Sequence, residues 1–219
     1  MQASQKQIVE HVAAVVRSRM EGEGSGHDWW HVHRVWQTAR RISKIERADM
    51  YEVELTALLH DIADWKFTDG DESAGPREAR RILEDYNVTP DIIGRVCASI
   101  RHLSYKGAGV PDRLTTLEGK IAQDADRLDA LGAIGIARAF AYGGHKNRQM
   151  YDPDIKPEIH TTKEAYMGAV GTTVNHFYEK LLLLKDRMNT VEGKRMAVER
   201  HHYMKDFLQE FYDEWDGRR

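Results

Sequence analysis

Three short stretches of this chain gather side chains that ligate or titrate near neutral pH. They are His27-Asp28-Trp29-Trp30-His31, then His60-Asp61-Ile62-Ala63-Asp64, then Gln123-Asp124-Ala125-Asp126-Arg127. Imidazole is the neutral-pH metal ligand and proton carrier, and the chain holds 11 His against a single Cys97. One cysteine excludes an intramolecular disulfide and an all-thiolate site, and fits a reducing compartment. Any bound metal must therefore be held by imidazole and carboxylate. A mixed N/O site suits Mn, Fe, Co, Ni, Zn or Mg. Four protein ligands on a six-coordinate ion leave positions for water and a substrate oxygen, as metal-assisted phosphoester hydrolysis requires. Either histidine alone would read as a hydrogen-bonded core residue; the joint pattern reads as a site.

The elements that position these groups are helical. Only five Pro occur, and nearly every long segment between them repeats at the helical period, with little strand-like alternation. Ser4 with Gln7 is expected to cap a first helix. Further helices are expected over about 28–47, 50–64, 76–86 and 90–103, the last behind a Thr89-Pro90 start. A sixth runs from about Thr116 toward Phe140 and closes at Gly143-Gly144, a seventh from Thr161 to about Lys185, and a last over about 191–215. Residues 145–160 are the longest irregular connection, the kind of segment that often contacts substrate. His31 falls on one stripe with Val35, Ala39 and Ile42, so it points inward. The third helix is apolar on two sides, which makes it central and leaves His60 and Asp64 as internal polar groups in need of partners. On the sixth, Asp124 lies nearer the stripe of Leu117, Ile121 and Leu128, while Asp126 projects from a face of small residues, Ala122, Ala130 and Ala133. The Leu181–Leu184 run and Trp215 read as core packing.

With these blocks in view, the sequence resembles the HD-domain phosphohydrolase superfamily, named for its H…HD…D order. The flanks match too: His31-x-x-Arg34-Val35, Leu58-Leu59-His60-Asp61 and Ala125-Asp126-x-Leu128. It is most similar to the small stand-alone bacterial branch, some members of which are nucleoside triphosphate pyrophosphohydrolases. Ser104-Tyr105-Lys106-Gly107 and His176-Phe177-Tyr178-Glu179-Lys180 also carry that likeness, which covers about residues 26–216. The resemblance implies an all-α, single-domain HD-type bundle over 1–219, with a motif core of about 26–131 and C-terminal helices over about 161–216 completing it. It implies metal ligands at His31, His60, Asp61 and Asp126, the last chosen over Asp124 by its Ala-Asp-x-Leu setting. It also implies one divalent ion, Mn or Mg favoured.

On that reading the ion activates a water, and Asp64 either accepts its proton or orients a ligand imidazole. Lys66, Lys106 and Arg101 are candidates to neutralise a polyphosphate, and His102 to face the leaving phosphate. His27 is placed at the site entrance. His145 and Lys146, in the long loop, are candidates for substrate contact. The expected reaction is hydrolysis of a nucleoside triphosphate to monophosphate and pyrophosphate. A phosphomonoesterase would use the same ligands, and a di-iron oxygenase or a non-catalytic sensor are the readings from other classes.

With 32 Lys+Arg against 35 Asp+Glu, the formal charge of -3 gives no strong nucleic-acid signal. The longest uncharged apolar run, Ala130–Ala137, is far short of the ~20 residues that cross a bilayer. Lys6, Glu10, Arg17 and Arg19 break any signal-peptide pattern, so a cytoplasmic location is expected.

Overall fold

The computed structural model describes residues 1–22, 28–63, 71–105, 107, 109–162 and 171–219. Among these the regular structure is helical, with no strand. The chain forms two compact units, one of residues 1–105 and 111–126, the other of 106–110 and 127–219. Among the described residues no helix is long and apolar enough to cross a membrane.

The first unit contains α1 (Ala3–Met20), α2 (Trp29–Glu46), α3 (Met50–Leu59), α4 (Ala74–Asp85), α5 (Pro90–Leu103) and most of α6 (Leu117–Asp129). Helix α3 is the central one, packed against α1, α2 and α5. Every residue from Tyr51 to Leu59 is buried, including Glu52, Glu54 and Thr56. The two acids sit in an otherwise apolar helix because each meets an arginine from a neighbour. Glu52 Oε2 lies 2.6 Å from Arg95 Nε on α5, and Glu54 Oε1 lies 2.8 Å from Arg40 Nε on α2. The Trp36 indole N–H adds a bond to Glu54 at 3.2 Å. Burial nonetheless raises both carboxyl pKa values, more than the arginines lower them. These pairs fix α3 against α2 and α5, so the end of α3 is well placed. In the same core as its Leu55 and Leu58 lie Val12, Val16, Val32, Leu83 and Val96. Gly119 lets α6 approach α5, since a Cβ there would fall 2.6 Å from Ser99 Oγ.

The second unit contains α7 (Gly132–His145), α8 (Thr173–Glu179), a 3₁₀ helix (Leu181–Arg187) and α9 (Val191–Trp215). Its core is aromatic: Phe140, Phe177, Phe207 and Phe211 lie with ring centroids 6.0–6.4 Å apart. Arg187 donates to Gly107 O at 2.9 Å and Val110 O at 2.6 Å, fastening that loop segment, and its own carbonyl accepts from Arg127.

Several boundaries differ from the sequence expectation. α1 begins earlier, its first turn closed by Gln5 Oε1 accepting from Gln2 N–H at 2.8 Å, so Ser4 lies inside the helix. α3 stops at Leu59 rather than reaching residue 64. α4 starts two residues early, at Ala74. The expected sixth helix is two helices, broken at 130–131, where Gly132 takes φ +72. Gly143 and Gly144 do not end α7, which runs to His145. Residues 161 and 162 are not helical, α8 starts behind the Thr172 cap, and Lys180 (φ -141, ψ -58) separates it from the 3₁₀ turn. Trp215 is 49% exposed, against the expected core position, although its ring stacks on Phe211.

Candidate metal centre

Three elements of the first unit bring together four side chains of types that can ligate a metal. Asp28 caps α2, accepting from the His31 backbone N–H at 2.9 Å, and this sets the first turn from which His31 projects inward. His60 is the C-cap of α3, and Asp61 follows on the turn after it, where Ile62 N–H bonds back to Leu59 O at 3.2 Å. Asp126 comes from α6.

His31 Nε2 lies 3.2 Å from His60 Nε2, 3.3 Å from Asp61 Oδ2 and 3.5 Å from Asp126 Oδ1. His60 Nε2 lies 3.6 Å from Asp61 Oδ2 and 3.8 Å from Asp126 Oδ1. Neighbouring ligands ~2.1 Å from a common ion sit about 3.0 Å apart in octahedral geometry and about 3.4 Å apart in tetrahedral geometry. All five distances are of that size, so the two imidazole nitrogens can share one ion with either carboxylate oxygen.

The chemistry of the donor set points the same way. His60 Nδ1 is 2.8 Å from Ala57 O, a contact in which the ring nitrogen donates, so Nε2 presents a lone pair to the centre. This backbone carbonyl also fixes the ring orientation, as such partners do for ligating histidines. Two carboxylate oxygens meet that lone pair. Electron-rich atoms gathered this closely, with both imidazoles buried, need a cation or proton among them. His31, His60 and Asp126 form a group able to hold a metal, and Asp61 Oδ2 stands beside its two imidazoles. Asp126 is the most open of the four, its side chain 29% exposed against 7% for Asp61.

The structure therefore brings together His31, His60, Asp61 and Asp126. Asp124 is fully buried and stands outside this group. Arg101 is exposed and His102 half-buried in the last turn of α5. The expectation that His145 and Lys146 lie in a loop is corrected: His145 is the last residue of α7 and Lys146 its C-cap, both exposed, with the Lys146 ammonium 5.7 Å from the Tyr142 ring centroid. His27, Asp64, Lys66 and Lys106 lie outside the described residues. Sequence reasoning missed the Ala57 carbonyl and the Glu52–Arg95 and Glu54–Arg40 pairs. The signal was there in part: two acids within a helix apolar on every side must be paired.

Residues 29–131, which span all four groups, match the HD domain. The chain is 37% identical over 209 residues to the uncharacterized protein YpgQ of Bacillus subtilis (strain 168), covering 95% of this chain and 94% of that one. A crystal structure of YpgQ in complex with ADP superposes with a TM-score of 0.77 at 32% identity, over 96% of each chain. An HD-superfamily hydrolase from Bacillus thuringiensis is 41% identical with a TM-score of 0.76, covering 97% of this chain and 98% of that one. A Lactobacillus plantarum protein is 37% identical, with a TM-score of 0.85 over 99% of both chains.

Proposed function

The chain belongs to the HD-domain family of metal-dependent phosphohydrolases, and from that premise we propose that it hydrolyses a nucleotide, releasing pyrophosphate from a triphosphate and leaving the monophosphate. The observation that carries this reading is the convergence of His31, His60, Asp61 and Asp126: the two imidazole Nε2 atoms lie 3.2 Å apart, and each stands 3.3–3.8 Å from a carboxylate oxygen of Asp61 and of Asp126. The nucleotide is favoured by the ADP complex of YpgQ.

A single divalent ion, Mn or Mg favoured, would be held by these four residues; it supplies Lewis acidity to a phosphoryl oxygen and lowers the pKa of the water beside it. The chain's own groups do the rest. The Ala57 carbonyl keeps the His60 ring turned so that Nε2 faces the centre. Asp126, the most open carboxylate, marks the side from which substrate approaches. Arg101 and His102 are assigned to the phosphates, with Lys66 and Lys106 as further cations and Asp64 as proton acceptor or orienting group. His27, His145 and Lys146 are assigned to substrate contact.

The test is a panel of nucleoside tri-, di- and monophosphates with Mn or Mg, assayed separately for pyrophosphate and orthophosphate, with His60→Ala as control. Pyrophosphate from triphosphates, lost in His60→Ala, is the expected result. Orthophosphate from monophosphates would replace it with a phosphomonoesterase; neither product from any nucleotide would sink the proposal.

A further inference from the structure

Residues 146–162, which follow α7, have no helix or strand, yet they are tied down. Thr173 N–H donates to Gln149 O at 2.9 Å and Val174 N–H to Met150 O at 3.0 Å. The buried Asn175 donates through Nδ2 to Ile155 O at 2.9 Å, and Glu158 N–H reaches Glu179 Oε1 at 3.3 Å. Thus fastened, residues 151–157 wall, together with α8 and α9, a half-open surface pocket of about 220 Å³ in which Pro153, Ile155, Lys156 and Pro157 are exposed. All its lining residues lie in the second unit, and none belongs to the His/Asp cluster.

The cavity has flat walls and spare donors. Tyr151 stands edge-on to Tyr212, with centroids 5.4 Å apart, and Pro153 and Pro157 complete an aromatic-and-proline lining that suits a flat ring. Tyr212 donates its hydroxyl to Tyr178 Oη at 3.2 Å, leaving the Tyr178 hydroxyl hydrogen for another acceptor. Burial and the neighbouring Tyr178 push the Tyr212 hydroxyl pKa up, so it stays a neutral donor. Lys156 places one of its three N–H bonds on Pro153 O at 2.7 Å. Asn175 keeps a second amide N–H. A ligand that satisfies these groups offers acceptors and negative charge. The volume equals that of roughly seven waters at about 30 Å³ each and falls below the ~300 Å³ of drug-sized pockets. That is room for one or two fused rings.

We propose that this cavity is a second ligand site, for a small planar aromatic ring bearing an anionic group, with the ring between Tyr151 and the prolines and the anion toward Lys156 and Tyr178. Two sources share that chemistry: a nucleoside monophosphate, base inward, and an aromatic carboxylate.

Isothermal titration of the full chain in EDTA, with AMP and separately with 4-hydroxybenzoate, reads the site without the metal centre. The expected result is saturable binding, one per chain, of at least one probe, persisting in His60→Ala. AMP alone identifies a nucleotide site, 4-hydroxybenzoate alone an aromatic-acid site. Tyr178→Phe keeps the ring and removes one donor, weakening binding about three- to tenfold. Lys156→Ala, at an exposed position where folding is not at stake, weakens it by a similar factor. Absence of binding by both probes overturns the inference, as does binding that both substitutions leave unchanged. The EDTA measurement does not depend on turnover, so failure of the hydrolase reading would be seen separately.

Discussion

Replacing Asp61 by asparagine separates what the cluster costs the fold from what it gains with an ion. Asp61 Oδ2 and Asp126 Oδ1 both lie within 3.5 Å of His31 Nε2, so the two carboxylate oxygens are no more than about 7 Å apart. At an effective dielectric of about 20, two negative charges at that separation repel by about 2 kcal/mol. Asparagine removes this repulsion and offers an N–H to the imidazole lone pairs. Metal-free Asp61→Asn is therefore expected to melt at or above metal-free wild type. With Mn the order reverses. Free metal at one hundred times its dissociation constant stabilises wild type by about 2.7 kcal/mol. For a chain of this length that is a rise of about 5–11 °C. If loss of the charged ligand weakens binding about a hundredfold, the same Mn concentration gives the variant only about 0.4 kcal/mol and a rise under about 2 °C. Calorimetry in EDTA and in excess Mn measures both. A variant that melts several degrees below wild type in EDTA, or that shares the full Mn-dependent rise, would refute the reasoning.

Burial, with Lys180, Arg148 and His160 nearby, holds the His176 imidazole down to about 3 from its ordinary 6.5. Between those values the unfolded chain binds a proton the fold refuses, so stability present above pH 6.5 is lost as pH falls toward 3, at up to about 1.4 kcal/mol per pH unit; His176→Asn should flatten that slope in urea titrations at pH 7, 6 and 5, and an unchanged slope would discount the site. A Cβ on Gly135 would sit 2.3 Å from the backbone oxygen of Ala130, whereas one on Gly144 meets nothing within 4 Å. Gly135→Ala should thus cost about 1–3 kcal/mol and Gly144→Ala be neutral or stabilising by up to about 1 kcal/mol, an order that denaturant midpoints would reveal or reverse. Arg187→Ala removes two bonds to the Gly107 and Val110 carbonyls. Limited trypsin digestion should then cut faster within residues 106–113, and an unchanged rate would show the anchor to be dispensable.

Local signals read well in the sequence where one residue decides the backbone. Pro90 opens α5, α2 starts close to residue 28, and the apolar stripe through Val35 and Ile42 turns His31 inward; each needs only its own helix to be satisfied. Breaks were harder, because the periodicity that marks helix continues across them. Leu128 and Leu131 stay in phase over the end of α6, and it is Gly132 with its positive φ that records the turn. The 176–182 run is periodic too, yet Lys180 leaves the helical region. At such points tertiary packing outweighs local preference.

The break that matters most for chemistry is the end of α3. Ile62 continues the stripe of Leu55 and Leu58, so the pattern argues for helix through residue 64, while the structure leaves the α-helical ladder at Leu59. Adjacent residues on a continuing helix do not face the same neighbour. Here His60 Nε2 and Asp61 Oδ2 both come within 3.3 Å of His31 Nε2. Consecutive residues can serve one ion because the chain is turning where they stand. The buried Glu52–Arg95 and Glu54–Arg40 pairs hold the preceding helix, so the turn comes at a fixed place. The dipeptide gives the ligand types, and the helix end, which periodicity hides, gives them a common target.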